Sequence, residues 1–182
     1  MRNIKIIKPI SLIILLFLIT SCSNNSAMKP EDFKNKEPRL IIEEYLSGNV
    51  KAWGVLQNRS GKVTRQFKAD LNGEWDGSKL VLNEVFNWND GEKQTRQWVI
   101  NKIDEHNYEG TAGDVVGKAI GYSYGPAFKF EYVLLVPVKG KELKITFDDW
   151  IFKQDDRVAI NRATMTKFGI KVAELTVVFV KD

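Results

Sequence analysis

The chain has 182 residues, 27 Lys and Arg against 23 Asp and Glu, a net charge of +4, one His and one Cys. The length fits one domain, and 43% hydrophobic with 27% charged residues is a folding composition. One cysteine excludes an internal disulfide or a thiolate metal cluster, and one histidine excludes a multi-histidine metal site.

Residues 1–9 carry Arg2, Lys5 and Lys8 and no acid, and Ile10 to Ile19 is almost wholly apolar. Small residues Thr20 and Ser21 follow, then Cys22. This is the order of a secretory signal over residues 1–21. Its apolar run falls short of the roughly 20 residues that span a bilayer. Ile19-Thr20-Ser21-Cys22 resembles the bacterial lipobox, which implies lipid attachment at Cys22 and cleavage before it. By resemblance to enterobacterial sorting, Ser23 implies the outer membrane, facing the periplasm. Loss of residues 1–21 takes the chain from 182 to 161 residues and the charge from +4 to +1. Most of the basic excess therefore belongs to the signal. With no basic cluster left, nucleic acid is not an expected partner.

Residues 22–38 are polar, hold two prolines and have no apolar period, so they read as a lipidated tether. Pro38 followed by Arg39 to Leu46 predicts one short helix ending near Gly48. From Val50 the chain alternates apolar and polar residues between turn signals. Strands are expected over Ala52–Gln57, Val63–Leu71, Leu80–Trp88, Thr95–Ile103, Tyr108–Ala112, Val115–Tyr124 and Ala127–Val138. Three more are centred on Leu143–Asp149, Val158–Thr164 and the stretch from Gly169 to Val180. Asp76-Gly77 and Asn89-Asp90-Gly91 mark hairpins. Such a meander must bury its edges, and closure does so best. The expected fold is all-β: an up-and-down antiparallel barrel over residues 39–182, similar to lipocalins and other calycins. An open sandwich is the alternative.

Few residues point to chemistry. His106 sits in a predicted hairpin turn, and G-x-S-x-G is absent, so Ser-His-Asp hydrolysis has little support. Gly113, Gly117, Gly121 and Gly125 recur without a phosphate-loop Lys-Ser/Thr and read as bulges or close strand packing. Asp155-Asp156 reads as a turn, since the EF-hand pattern is missing. No metal or cofactor is expected. More informative are charges that share strand parity with large apolar residues. Glu84 lies between Leu82 and Phe86, Arg96 precedes Trp98, Asp149 follows Phe147, and Arg162 follows Ile160. If those faces point inward, the charges must pair with each other or with a ligand. A salt-bridge network, recognition of a carboxylate or other polar head, and acid–base chemistry on a lipid all remain open.

Several stretches resemble an uncharacterised bacterial lipoprotein family, domain of unknown function 3833. They include Ala52-Trp53-Gly54-Val55, the Gly-Glu-Trp-Asp-Gly ending at Gly77, Arg96-Gln-Trp98, Tyr108 to Gly117, Phe147 to Trp150, Asn161-Arg162 and Lys167-Phe-Gly169. The resemblance covers about residues 40–180 and implies a lipid-anchored envelope protein with a lipocalin-like fold. It carries over no activity. Three functions follow as expectations: a carrier of a lipid or apolar small molecule, an enzyme modifying an envelope lipid or quinone, or an assembly partner at the membrane.

Overall fold

The computed structural model describes residues 27–138 and 140–182. The predicted signal peptide and Cys22 lie outside the described residues. Ten strands follow in order: β1 (Gly48–Asn58), β2 (Val63–Trp75), β3 (Lys79–Trp88), β4 (Lys93–Lys102) and β5 (Asn107–Thr111). They continue as β6 (Ala119–Tyr124), β7 (Ala127–Val138), β8 (Lys141–Lys153), β9 (Val158–Lys167) and β10 (Ile170–Lys181). Each pairs antiparallel with its sequence neighbours, and β1 pairs with β10, so the sheet is a closed barrel. Closure leaves no strand edge to aggregate. The open sandwich is thereby excluded.

Alternation sets the inside. Val50 and Ala52 of β1 face in, as do Phe67, Ala69 and Leu71 of β2, and Leu80 and Leu82 of β3. Trp98 and Ile100 of β4, the even positions Phe128 to Leu134 of β7, and Ile145 and Phe147 of β8 complete the wall. On β9 the inner face is small: Ala159, Asn161 and Ala163. The space is taken by Tyr132 and Phe147, whose rings stack 5.0 Å apart on β7 and β8.

The predicted helix over 39–46 is shorter than expected. Only one turn, α1 (Ile42–Tyr45), is helical: Ile41 is extended, and the Leu40 N–H is spent on the barrel wall at Gly125. Leu40, Ile42, Tyr45 and Leu46 are buried and plug that end. The plug is tied to the wall on several sides. Tyr45 donates to the Arg157 carbonyl at 2.9 Å, Ser123 donates to the Leu40 carbonyl at 3.0 Å, and Leu40 N–H donates to the Gly125 carbonyl at 2.7 Å. Buried Glu43 accepts from Tyr108 at 2.9 Å and from Lys102. Burial disfavours its charge, but those bonds outweigh it and lower its pKa. Gly73 lets β2 touch the plug: a Cβ there would stand 2.0 Å from the Leu46 carbonyl oxygen.

The tether predicted over 22–38 is docked from Pro30 onward. Pro30–Phe33 forms a 3₁₀ turn, and Phe33 packs on the outward rings of Trp150 and Phe152, 6.0 and 5.5 Å away. Polar composition hides this contact because one aromatic ring carries it.

At the far end, β9 and β10 turn through Phe168 and Gly169, with φ of 52° and 75°. Two positive φ values suit a two-residue hairpin, but the first normally falls to Asn, Asp or Gly. Phe168 is 93% exposed and makes no compensating contact with the core. Phe168→Asn is therefore expected to raise stability by about 0.5–1 kcal/mol. Urea denaturation of the two proteins at one pH checks it.

Candidate functional site

The barrel interior holds a partly open cavity of about 110 Å³. Ile42 and Leu46 of the plug reach it from one end, and Phe67, Phe86, Trp98, Phe130 and Tyr132 supply aromatic wall. The side chains of Glu84, Arg96, Asp149 and Asn161 also line it. A larger groove on the outer wall, about 530 Å³ beside Trp53 and Val178, is not enclosed by the barrel and is lined by no carboxylate.

Register brings the polar residues together. Glu84 of β3 is paired directly with Arg96 of β4. The Arg96 guanidinium lies 3.8 Å from Glu84 Oε2, and the two side chains are only 16% and 11% exposed. Arg96 is committed elsewhere. Its Nε and Nη2 donate to both carboxylate oxygens of Asp114 at 2.8–3.1 Å. Asp114 belongs to the β5–β6 loop, which is pinned to β7 by the Val115–Leu134 bridge and by the Leu135 N–H donating to the Asp114 carbonyl. The strand expected over Val115–Tyr124 therefore begins only at Ala119, and the loop before it delivers a carboxylate.

Asp149 stands across the cavity on β8. Its Oδ2 accepts from the Tyr132 hydroxyl at 2.8 Å, and its Oδ1 accepts from the Asn161 amide. Asn161 also donates to the Trp150 carbonyl at 3.1 Å. Trp98 is buried, with its ring 5.2 Å from Phe130 and 5.3 Å from Tyr132. Glu84, Arg96, Trp98 and Asp149 thus share one interior site.

Arg162 does not join them. It faces outward, 68% exposed, and lies 3.8 Å from Glu174. The inner face of β9 is the other parity, with Asn161 where an arginine was expected. The misreading has a physical cause. Ile160 and Arg162 look like a half-buried face, whereas Ala159 and Ala163 look too small for a core, yet small residues are what the stacked rings opposite allow. Sequence reasoning also missed Tyr132 and Asp114. Tyr132 shares parity with Phe128 and Phe130 and could have been found; Asp114 comes from a loop and carried no such signal.

His106 lies in the β4–β5 turn, away from the cavity. Its Nδ1 is 2.8 Å from the Ser123 carbonyl, and its ring stacks on Tyr124 at 4.1 Å. Asp155 accepts from the Arg157 and Val158 N–H groups, which makes it a turn residue.

The two interior carboxyls resist ionisation. Burial pushes Glu84 up to about 7; Arg96 opposes this, while Asp149 and Asp114 add to it. Burial raises Asp149 to about 6 against the bonds from Asn161 and Tyr132. Glu84 Oε2 is buried with no hydrogen-bond partner. Both folded pKa values exceed the unfolded ones, near 4. The stability these groups contribute is therefore complete below about pH 4 and is lost as pH rises through about 6 and 7. Glu84→Gln removes the Glu84 part of that loss and leaves Arg96 paired with Asp114. It is expected to raise stability at pH 8 by ~2 kcal/mol and to change it little at pH 4, as read by urea denaturation at both.

Residues 16–181 match the family described as "Protein of unknown function (DUF3833)", and the chain belongs to that family. No curated protein sequence matches it. Solved structures share the barrel. The S-type phycobiliprotein lyase CPES from Guillardia theta is similar at 11% identity and a TM-score of 0.58, over 77% of this chain and 90% of that one. A protein of unknown function from the DUF3598 family, from Nostoc punctiforme, is similar at 14% identity and a TM-score of 0.60. That match covers 81% of this chain but only about half, 51%, of the other. At these identities the likeness is one of fold: a lipocalin-like barrel.

Proposed function

We propose that this family member is a lipid-anchored envelope protein whose barrel binds a small, mainly apolar molecule. The observation that carries the binding reading is the interior cavity, aromatic-walled, with buried polar groups converging on it. A concave apolar site with a few fixed polar groups is the usual form of a small-molecule site. Its 110 Å³ is somewhat below the ~150 Å³ cavity that takes a benzene ring. The occupant is therefore a small molecule or the end of a longer one, rather than a whole acyl chain folded inside. Anchoring rests on the sequence: an apolar signal, then Cys22 at the lipobox position, with Ser23 favouring the outer membrane and a periplasmic face. Two or three acyl chains hold a protein firmly, since each buried methylene adds about 0.8 kcal/mol.

Binding is favoured over catalysis because Asp149 is held by two donors, Arg96 by Asp114, and Arg162 lies outside the barrel, so Glu84, whose Oε2 has no partner, stands without a free second group to act with it. Benzene titrated into the purified protein is expected to shift the NMR signals of Trp98 and Asn161. Ala52→Leu, which fills the cavity, should weaken it at least tenfold. Shifts confined to the outer groove at Trp53, or none at all, would overturn the reading. Cys22→Ser is expected to move the protein from the membrane to the soluble fraction; continued membrane attachment would overturn the anchor.

A further inference from the structure

The charges inside the barrel do not balance. Two carboxylates, Glu84 and Asp149, line the cavity with one guanidinium, Arg96. That guanidinium is turned to a third carboxylate, Asp114, by three hydrogen bonds, and Glu84 keeps only a longer 3.8 Å approach. The second arginine that would favour an anionic ligand, Arg162, is outside. Every strong donor facing Asp149 is already used, and one acceptor, Glu84 Oε2, is buried without a donor. A buried acceptor left unpaired is destabilising, and a ligand donor relieves that penalty on binding.

We propose that the cavity selects a ligand whose polar head donates hydrogen bonds to Glu84, an ammonium above all, and rejects carboxylates. The inference rests on the cavity-binding reading and names its ligand class. An ammonium supplies up to three donors and the missing positive charge. The rings of Phe86, Trp98 and Tyr132 around the site add cation–π attraction in a desolvated space. A carboxylate head would meet Glu84 and Asp149 as like charges, with no free arginine to receive it.

The groups facing Glu84 are Arg96 and the Trp98 indole on β4, Asp114 in the β5–β6 loop, Asp149 on β8 and Tyr132 on β7. Of these, Glu84 and Asp149 change charge between mild acid and pH 8. Ammonium binding therefore strengthens as pH rises from 5 to 8, whereas alcohol binding changes less.

The test uses n-butylamine, n-butanol and butyrate, with benzene as a headless control, titrated by calorimetry and NMR at pH 5 and pH 8. At pH 8 the amine is expected to bind at least tenfold tighter than butyrate, with shifts at Trp98 and Arg96. Glu84→Gln should reduce that preference to less than threefold while benzene binding persists. Butyrate equal to or tighter than the amine, with benzene bound, would overturn the ligand class and leave the cavity reading standing. Amine preference unchanged in Glu84→Gln would overturn the role of Glu84. Failure of all four probes would overturn the cavity reading itself.

Discussion

Arg96→Met is expected to cost about 3–5 kcal/mol at pH 8 and much less at pH 4. Arg96 is the one cation among Glu84, Asp114 and Asp149, and its side chain is 16% exposed. Removing it leaves two buried carboxylates repelling each other and strands Asp114 without its bidentate partner. Methionine keeps most of the volume, so the loss reads the charge and not a void. Acid relieves it, because Glu84 and Asp149 take up protons near pH 7 and 6 and even more readily without the arginine. With total stabilities of 5–15 kcal/mol common for such domains, the variant should be marginal at pH 8. Urea midpoints at the two pH values check this. A loss equal at both would mean that packing of the arginine stem, rather than its charge, dominates.

Gly73→Ala should be comparably damaging for a purely steric reason. The new Cβ would lie 2.0 Å from the Leu46 carbonyl oxygen and 3.2 Å from Leu80. The first contact is with backbone, which cannot rotate away. Either β2 shifts, breaking its register with β1 at Gly48, or the plug lifts off the barrel end. Overpacking costs about 1–3 kcal/mol when side chains can adjust, and more is expected here, about 3 kcal/mol or above. Gly61→Ala is the matched control. Gly61 has a positive φ, but a Cβ there would meet nothing within 4 Å. Its loss should stay near 1 kcal/mol, the ordinary backbone penalty. Thermal or urea unfolding of both variants separates the steric effect from the conformational one.

Much of the barrel was legible in the chain. Period-two alternation placed the strands, and Asp-Gly pairs placed two hairpins, because one face of each strand must be apolar. Glu84, Arg96, Trp98 and Asp149 were legible for the same reason: each sits in phase with large apolar neighbours. The strands Leu80–Trp88 and Tyr108–Ala112 differ from the observed bounds by a residue at one or both ends. The tether and helix were less legible. Phe33 docks through one ring, and α1 is too short to show a helical period.

Alternation and turn residues by themselves determined a β-meander and confined the charged candidates to a few in-phase positions. They left the direction of β9 undecided, since its true inner face is made of alanines and an asparagine. They also left undecided which charges meet. That depends on register between strands, on a loop folding Asp114 back to Arg96, and on stacked rings claiming the space beside β9. Those are contacts between residues distant in sequence, set by closure of the barrel. Closure is what turned an expected pair of arginines and pair of acids into one arginine outnumbered by carboxylates.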